Sequence, residues 1–266
     1  MADPATVHGL PDEVALRTPG LFCDCPAGQA QLAMVKRRVE GWTKFLEETE
    51  AARRAAAAKR HAWAGVPAKF LGVTLNGLMA KALVEVDGRK VIEPAKAEAI
   101  KAAKSYLDQG YIDKLNGTRK NSLMLWGETR GVGKTGALAP IVLKWLDQGR
   151  SALWLDFRLF IDLVKESYRN PSVATAGEMI GMARRADILL IDDLGDPGRE
   201  SAETDHTREV MTNIIRHRHG QEMPTLFTTN QNPKGLAVQF SEELYHRVAE
   251  MALLIEMGGR VLRDLG

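Results

Sequence analysis

Cysteines and long apolar runs are scarce in this sequence of 266 residues. The two cysteines, Cys23 and Cys25, are too few for a disulfide framework, and one intervening residue is poor geometry for pairing them with each other. There is no run of about 18 apolar residues, so we expect no membrane span. The start, Met1–Pro4, lacks the basic and apolar pattern of a signal peptide. These absences predict a protein of the reducing cytoplasm that does not contact membranes.

A strong net charge is lacking as well. The 36 Lys and Arg residues nearly balance the 34 Asp and Glu residues, which leaves a formal charge of +2. Overall charge therefore gives no reason to expect nucleic-acid binding, and any such surface must be a local patch. The length allows one large domain, or one domain with a small appendage.

The first quarter of the chain differs in composition from the rest. Residues 1–30 are rich in Pro, Gly and Asp, which predicts loops or disorder. Ala, Glu, Lys and Arg dominate residues 31–64 and predict one or two helices. The basic segment 53–60 is either a solvated helix face or an arm that binds a partner or nucleic acid. We expect residues 1–65 to form an N-terminal region and residues 66–266 to form the main domain.

Short apolar segments alternate with helical segments in the rest of the chain. After a connector of short elements at 68–92 and a helix at 93–109, this alternation predicts an α/β fold with a parallel sheet between helices. The predicted strands are 121–126, 151–156, 187–192, 224–229 and 252–256, and the predicted helices are 134–147, 158–168, 176–185, 204–219 and 241–249.

A glycine-rich segment, residues 127–135, follows the first of these strands and precedes a helix. Glycines let backbone N–H groups approach phosphate oxygens, and the N-terminus of the next helix favours anions. Lys134 is placed to reach the β- and γ-phosphates of a nucleotide, and Thr135 to bind Mg²⁺ through its hydroxyl. Five residues separate the outer glycines instead of the usual four, so we expect a one-residue bulge in a working loop, with a degenerate loop as the alternative. The predicted nucleotide-binding residues are Gly127, Gly131, Val132, Gly133, Lys134 and Thr135.

Polar residues end two of the later strands. Asp192 and Asp193 follow the apolar run Ile188–Ile191, and we assign Asp192 to the Mg²⁺ and Asp193 to the attacking water. Asn230 ends the strand Thr225–Thr229, where a side-chain amide is expected near the γ-phosphate. In this order the three motifs predict hydrolysis of a nucleotide with Mg²⁺ as cofactor.

These motifs resemble those of the AAA+ ATPases of the DnaC/DnaI helicase-loader and IstB transposition-ATPase group. The resemblance extends from Ala64 to the C-terminus. The matching segments are Ala64–Pro67, Ser122–Gly127, Ile188–Gly195, Pro224–Asn230 and Tyr245–Val248.

The resemblance implies an AAA+ core that assembles into an oligomer on DNA. ATP sites would lie between subunits, with Arg247 acting as an arginine finger on a neighbour's nucleotide; Arg216 and Arg218 are weaker candidates for such a duty. Residues 1–65 would bind the partner, and the sequence leaves no room for a full C-terminal helical lid. A helical segment near 158–185 would contact DNA through Lys165, Tyr168, Arg169, Arg184 and Arg185, although solvated helix faces are the plainer interpretation.

The cysteines raise the question of zinc. A tetrahedral site needs four ligands, and Cys23 and Cys25 would need both His8 and His61, or a second chain, to complete it. We therefore predict that zinc is absent.

Three functions are open at this point. The first is an ATP-dependent loader of a replicative helicase onto single-stranded DNA. The second is an IstB-like accessory ATPase that binds duplex DNA and a transposase. The third is an adaptor that holds nucleotide with little turnover. A small-molecule kinase would leave the arginine-finger motif unexplained.

Overall fold

The computed structural model describes residues 6–7, 10–19, 21–113, 119–170, 175–195 and 205–262. The chain divides after Lys59 into two compact units. The sequence predicts the division after residue 65 instead, in the turn that follows the long helix Pro26–Trp63. No helix in the described ranges is long and apolar enough to cross a membrane.

In its described residues, the first unit contains two short antiparallel strands and two helices, one of them very long. Its hydrophobic contacts join Ala15 and Val35, and Arg38 donates to both carboxylate oxygens of Asp12, each at 2.9 Å. The long helix includes the basic segment 53–60, of which Arg53 and Arg54 are described by backbone alone. The elements are β1 (Thr6–Val7), β2 (Leu10–Pro11), α1 (Asp12–Arg17) and α2 (Pro26–Trp63).

Two sequence-based expectations for this unit are wrong. Residues 1–30 include a short helix and the start of α2, because Pro26 is well suited to a first helical position. Cys23 and Cys25 are also paired, with their Sγ atoms 2.26 Å apart. The bends before α2 bring their Cα atoms to 5.4 Å, within the range a disulfide spans.

The second unit is built on a five-stranded parallel sheet in the order β11–β7–β10–β9–β8. Its strands in the described ranges are β3 (Leu83–Val86), β4 (Arg89–Ile92), β5 (Ile112–Asp113), β6 (Arg119–Lys120), β7 (Ser122–Trp126), β8 (Ala152–Asp156), β9 (Ile188–Asp192), β10 (Thr225–Thr229) and β11 (Ala252–Glu256). Its helices there, besides a 3₁₀ turn at Ala68–Phe70, are α3 (Leu75–Lys81), α4 (Pro94–Gln109), α5 (Lys134–Asp147), α6 (Phe157–Ser167), α7 (Ala176–Arg185), α8 (Asp205–Gly220), α9 (Pro233–Gln239) and α10 (Glu242–Met251).

The sheet is buried on both faces, as its continuous apolar strands require. Successive side chains of β9 alternate between two hydrophobic clusters. Ile188 and Leu190 pack with the cluster that includes α4 and α5, whereas Leu189 and Ile191 pack with the cluster that includes α6, α8 and α10. The α/β class, with a parallel sheet between helices and a helical N-terminal region, is confirmed.

The order of the strands determines where a ligand can bind. From β7 the chain passes to the edge strand β8 and returns through β9 to β10, and β11 is then added on the other side of β7. Ligands of open α/β sheets bind beyond the carboxyl ends of the strands, where the strand order reverses. In this fold that point is the end of β7, and residues 127–135 follow it directly.

Arg218, one of the weaker arginine-finger candidates, forms the centre of a buried hydrogen-bond cluster. Arg218, on α8, has no exposed surface. Its guanidinium donates to Oγ1 of Thr225 at 2.9 Å and to the carbonyl oxygens of Ala183, Ala186 and Pro224 at 3.0, 2.7 and 2.5 Å. These contacts join the ends of α7 and α8 to the start of β10, so the weak assignment of Arg218 as a finger is wrong.

Candidate nucleotide-binding site

Gly127, the first glycine of the motif, extends the end of the strand, and the phosphate-binding loop begins at Glu128. The N–H of Gly127 donates to the carbonyl of Thr229 at 3.2 Å, which continues the β7–β10 pairing through this glycine. A Cβ on Gly127 would lie 2.4 Å from the carbonyl oxygen of Met257, so a side chain cannot fit between β7 and the chain after β11. The extra residue of the motif thus extends the strand, and four residues separate Glu128 from Gly133.

Two glycines further along the loop are needed because of their backbone conformation. Gly131 and Gly133 have φ values of 78° and 106°, which L-residues rarely adopt. A Cβ on Gly133 would also meet Leu78 Cδ1 at 3.0 Å and Leu262 Cδ1 at 3.1 Å. The loop ends at the N-terminus of α5, where the free N–H groups and the helix dipole favour an anion. This geometry fits the phosphates of a nucleotide.

Lys134 lies inside the loop. Its Nζ donates to the carbonyl oxygens of Gly127 at 2.7 Å and Thr129 at 2.9 Å, and the residue is 5% exposed. Burial lowers the pKa of Lys134, while the nearby carboxylates of Asp193 and Asp192 oppose that change. The ammonium group is therefore held at the loop by main-chain oxygens.

Asp192 lies at the centre of a hydrogen-bond network at the end of β9. Its Oδ1 accepts from Thr135 Oγ1 at 2.8 Å and from Thr228 Oγ1 at 2.5 Å. Burial raises the pKa of Asp192 to about 6, with the hydrogen bond from Thr228 acting in the opposite direction. The two predicted Mg²⁺ ligands, Thr135 and Asp192, are therefore in contact, and a hydroxyl with a carboxylate is a suitable donor pair for that ion.

Asp193 and Asn230 also come together. Asn230 Nδ2 donates to Asp193 Oδ1 at 3.3 Å, and the N–H of Asp193 donates to Thr228 Oγ1 at 2.9 Å. Asp193 has a φ of 53°, which turns its side chain away from the strand direction. Thr228 thus connects both acids. The sequence analysis missed its role, although a polar residue inside a buried strand was the available signal.

The loop and these acids border a cavity of about 540 Å³. Its opposite wall comes from a segment the sequence analysis treated only as a connector, because that segment contains no motif. A volume of this size suits a small ligand. The cavity is lined by Lys69, Phe70, Gly72, Val73, Thr74, Gly77, Leu78, Lys81, Arg130, Gly131, Gly133, Lys134, Thr135, Gly136, Asp193, Asn230 and Leu262.

Arg247 lies apart from this cavity. It is on α10, where Nε and Nη2 donate to Oε1 of Glu243 at 3.3 and 2.9 Å. That contact lowers the pKa of Glu243. The structure does not bring Arg247 to the nucleotide site of its own chain.

The predicted DNA-contact residues form two groups. Lys165 is in the last turn of α6, followed by Tyr168, which is 63% exposed, and Arg169. Arg184 and Arg185 end α7 at the edge of the sheet opposite the phosphate loop. Arg184 Nη2 lies 3.0 Å from His217 Nδ1, so this arginine already has a partner on α8.

The cysteine sulfurs are bonded to each other, and His8 lies outside the described residues. Within the described part of the chain, no three His, Cys, Asp or Glu side chains gather in a metal-binding group.

The sheet order, the phosphate loop after β7 and the acids after β9 define an AAA+ fold of the P-loop class. No family model matches the chain. The chain is similar to the replicative helicase loader DnaI of Bacillus subtilis, with 30% identity over 132 residues. That match covers 49% of this chain and 40% of the relative, so the chain spans less than half the length of the relative it matches.

Two solved structures extend the comparison beyond that segment. The crystal structure of the DnaC helicase loader has a TM-score of 0.52 and 19% identity, covering 72% of this chain and 100% of its own. The replication initiator DnaA bound to AMPPCP and single-stranded DNA has a TM-score of 0.53 and 19% identity, covering 71% of this chain and 50% of its own. The fold of the chain is therefore like those of DnaC and DnaA, and the resemblance found in the motifs is confirmed by the similarity to DnaI.

Proposed function

We propose that this protein is an ATP-dependent loader that places a replicative helicase on single-stranded DNA and acts as an oligomer with ATP sites between subunits. The observation that carries the proposal is the meeting of Thr135, Asp192, Asp193 and Asn230 beside the phosphate loop. Similarity to DnaI supports the loader role, and the AMPPCP of the DnaA neighbour supports an adenine nucleotide as ligand.

Each residue of the site has a role in this proposal. Lys134 and the N–H groups of the loop bind the β- and γ-phosphates, and Thr135 and Asp192 hold the Mg²⁺. Mg²⁺ offsets charge on the phosphates when bound. Asp193 accepts a proton from the attacking water, and Asn230 orients that water through the amide that contacts Asp193.

Arg247 acts on the nucleotide of a neighbouring subunit. The position of Arg247 supports this role. Its side chain lies on α10, outside the lining of its own chain's cavity, and contacts Glu243 one helical turn away. A guanidinium that reaches a neighbour's γ-phosphate stabilises the charge of the transition state.

The partner contact is assigned to residues 1–65. Trp42 and Phe45 on α2 are 58% and 54% exposed and stack with their ring centroids 5.4 Å apart. Exposed aromatic pairs of this kind are frequent anchors of protein interfaces. Changing both to alanine should weaken helicase binding and leave ATP turnover unchanged.

The decisive experiment measures ATP turnover with no DNA, with single-stranded DNA and with duplex DNA. Lys134→Ala and Arg247→Ala should each abolish the stimulated turnover. A mixture of the two variants should recover part of it, because a mixed oligomer contains sites with an intact Lys134 from one subunit and an intact Arg247 from the next.

The outcomes separate the candidate functions. Stimulation by single strands with recovery in the mixture supports the loader. Stimulation mainly by duplex DNA supports the transposition-accessory function instead. ATP binding without turnover in any condition supports the adaptor, and no recovery in the mixture contradicts shared sites.

A further inference from the structure

Residues 257–262, here called the strap, follow β11 and return across the phosphate loop. The N–H of Met257 donates to the carbonyl of Trp126 at 2.8 Å. At the other end, the N–H of Leu262 donates to the carbonyl of Gly131 at 2.9 Å. The strap is therefore hydrogen-bonded at its start to the last residue of β7 and at its end to Gly131 in the phosphate loop.

The middle of the strap is fastened to the start of α4. The N–H of Gly258 donates to the carbonyl of Ala95 at 3.1 Å, and the carbonyl of Gly258 accepts from Lys96 Nζ at 3.0 Å. The N–H of Arg260 donates to Glu93 Oε1 at 2.8 Å, and Lys96 donates to the other oxygen of that carboxylate at 2.5 Å. Lys96 has no exposed surface, whereas Glu93 is partly exposed and Arg260 is exposed, so the cluster extends from the protein interior to the surface.

The side chain of Arg260 connects the strap to the opposite wall of the cavity. Its Nη2 donates to the carbonyl oxygens of Lys81 and Leu83, both at 2.9 Å. Lys81 is the last residue of α3, and the dipole at that end of the helix favours a cation. Arg260 itself does not line the cavity, whereas Gly77, Leu78 and Lys81 of α3 do.

Leu262 is the residue of the strap that borders the cavity. Its side chain is 6% exposed and lines the cavity. Leu262 and Leu78 both pack beside Gly133, because the Cδ1 atom of each would lie about 3 Å from a Cβ added to that glycine. One leucine comes from the strap and the other from α3, which are the two pieces that Arg260 joins.

We propose that the strap retains bound nucleotide and that Arg260 is its positioning residue. This inference rests on nucleotide binding in the proposed function. Arg260 keeps Leu262 and α3 together beside the loop, so nucleotide leaves only when this contact opens. The arginine therefore controls the release of nucleotide and does not take part in the chemical step.

The test uses the full chain and a fluorescent methylanthraniloyl-ATP, chased with excess ATP in a stopped-flow instrument. Arg260→Ala removes two hydrogen bonds and should speed release about ten-fold, with a smaller change in the rate of binding. Arg260→Lys keeps the charge and part of the hydrogen bonding, and should recover part of the retention. Leu262→Ala should also speed release, because it removes a side chain that lines the cavity.

A stability control separates retention from general loosening. Ile214→Val trims the hydrophobic cluster on the other face of the sheet and should lower the unfolding temperature without changing release. Unaltered release in Arg260→Ala, or equal acceleration in Ile214→Val, would overturn the strap proposal alone. Failure of the unaltered chain to bind the probe would overturn the proposed function together with it.

Discussion

Replacing Arg218 by methionine should destabilise the protein severely without acting on the chemistry. The guanidinium is fully buried and donates to Thr225, to carbonyl oxygens at the end of α7 and to the carbonyl oxygen of Pro224 before β10. Burial lowers its pKa to about 10, so it stays charged at neutral pH. Methionine fills much of the volume but leaves several buried acceptors without donors.

The size of the effect follows from those contacts. An unsatisfied buried acceptor costs about 1–3 kcal/mol, and partial relaxation reduces the sum. We expect a loss of about 3–5 kcal/mol in the free energy of unfolding, which is near the upper end for single substitutions. For a domain of this size, that loss lowers the unfolding temperature by roughly 6–20 °C.

Urea denaturation followed by circular dichroism measures this directly. Arg216→Met is the matched control, because Arg216 is on the same helix and exposed, and its effect should stay within about 0.5 kcal/mol. If Arg218→Met lost less than about 1 kcal/mol and also lost ATP turnover, the structural assignment would be refuted and a functional role restored.

Three further predictions concern the site. Gly133→Ala should weaken nucleotide binding about ten-fold or more, because of its positive φ and the two nearby leucines. Gly220→Ala, where an added Cβ meets nothing within 4 Å, lies outside the cavity lining and should bind normally in the same titration. Thr228→Val should lower ATP turnover about 10- to 100-fold with little change in affinity; unchanged turnover would show that the network around Asp192 is dispensable. Burial alone would raise the pKa of Glu93, but contacts with Lys96 and Arg260 lower it overall, so its stabilisation is present above pH 4.5 and lost as pH falls through the lowered value. The difference in unfolding temperature between the unaltered chain and Glu93→Gln should therefore disappear at low pH.

The regular elements around the site could be predicted closely from sequence. The strand predicted at 187–192 is Ile188–Asp192, because a continuous apolar run with a polar end has few other solutions in a soluble fold. Helix α9 was missed, since Asn232 and Pro233 indicate a turn as readily as a helix start. In the structure Asn232 caps that helix by accepting from the N–H of Gly235 at 2.9 Å.

Side-chain roles that depend on distant partners could not be predicted. An arginine is exposed in most contexts, so only the folded chain shows the carbonyl groups around Arg218. The cavity wall at 69–81 and Leu262 carry no motif, because they shape the ligand space by packing alone. The roles assigned to Asp193, Asn230 and Arg247 stay predictions until turnover is measured.

The packing behind the cavity gives the protein an optical probe of its own. Phe70 lines the cavity, and its ring lies 4.9 Å from that of Trp154, which is only 4% exposed. A ligand that shifts Phe70 alters the surroundings of a buried indole, whose emission reports on such changes. Binding of a ligand in the cavity should therefore change the intrinsic tryptophan fluorescence, without a label on the protein or the ligand. The Trp154→Phe variant is the control, and it should lack this change.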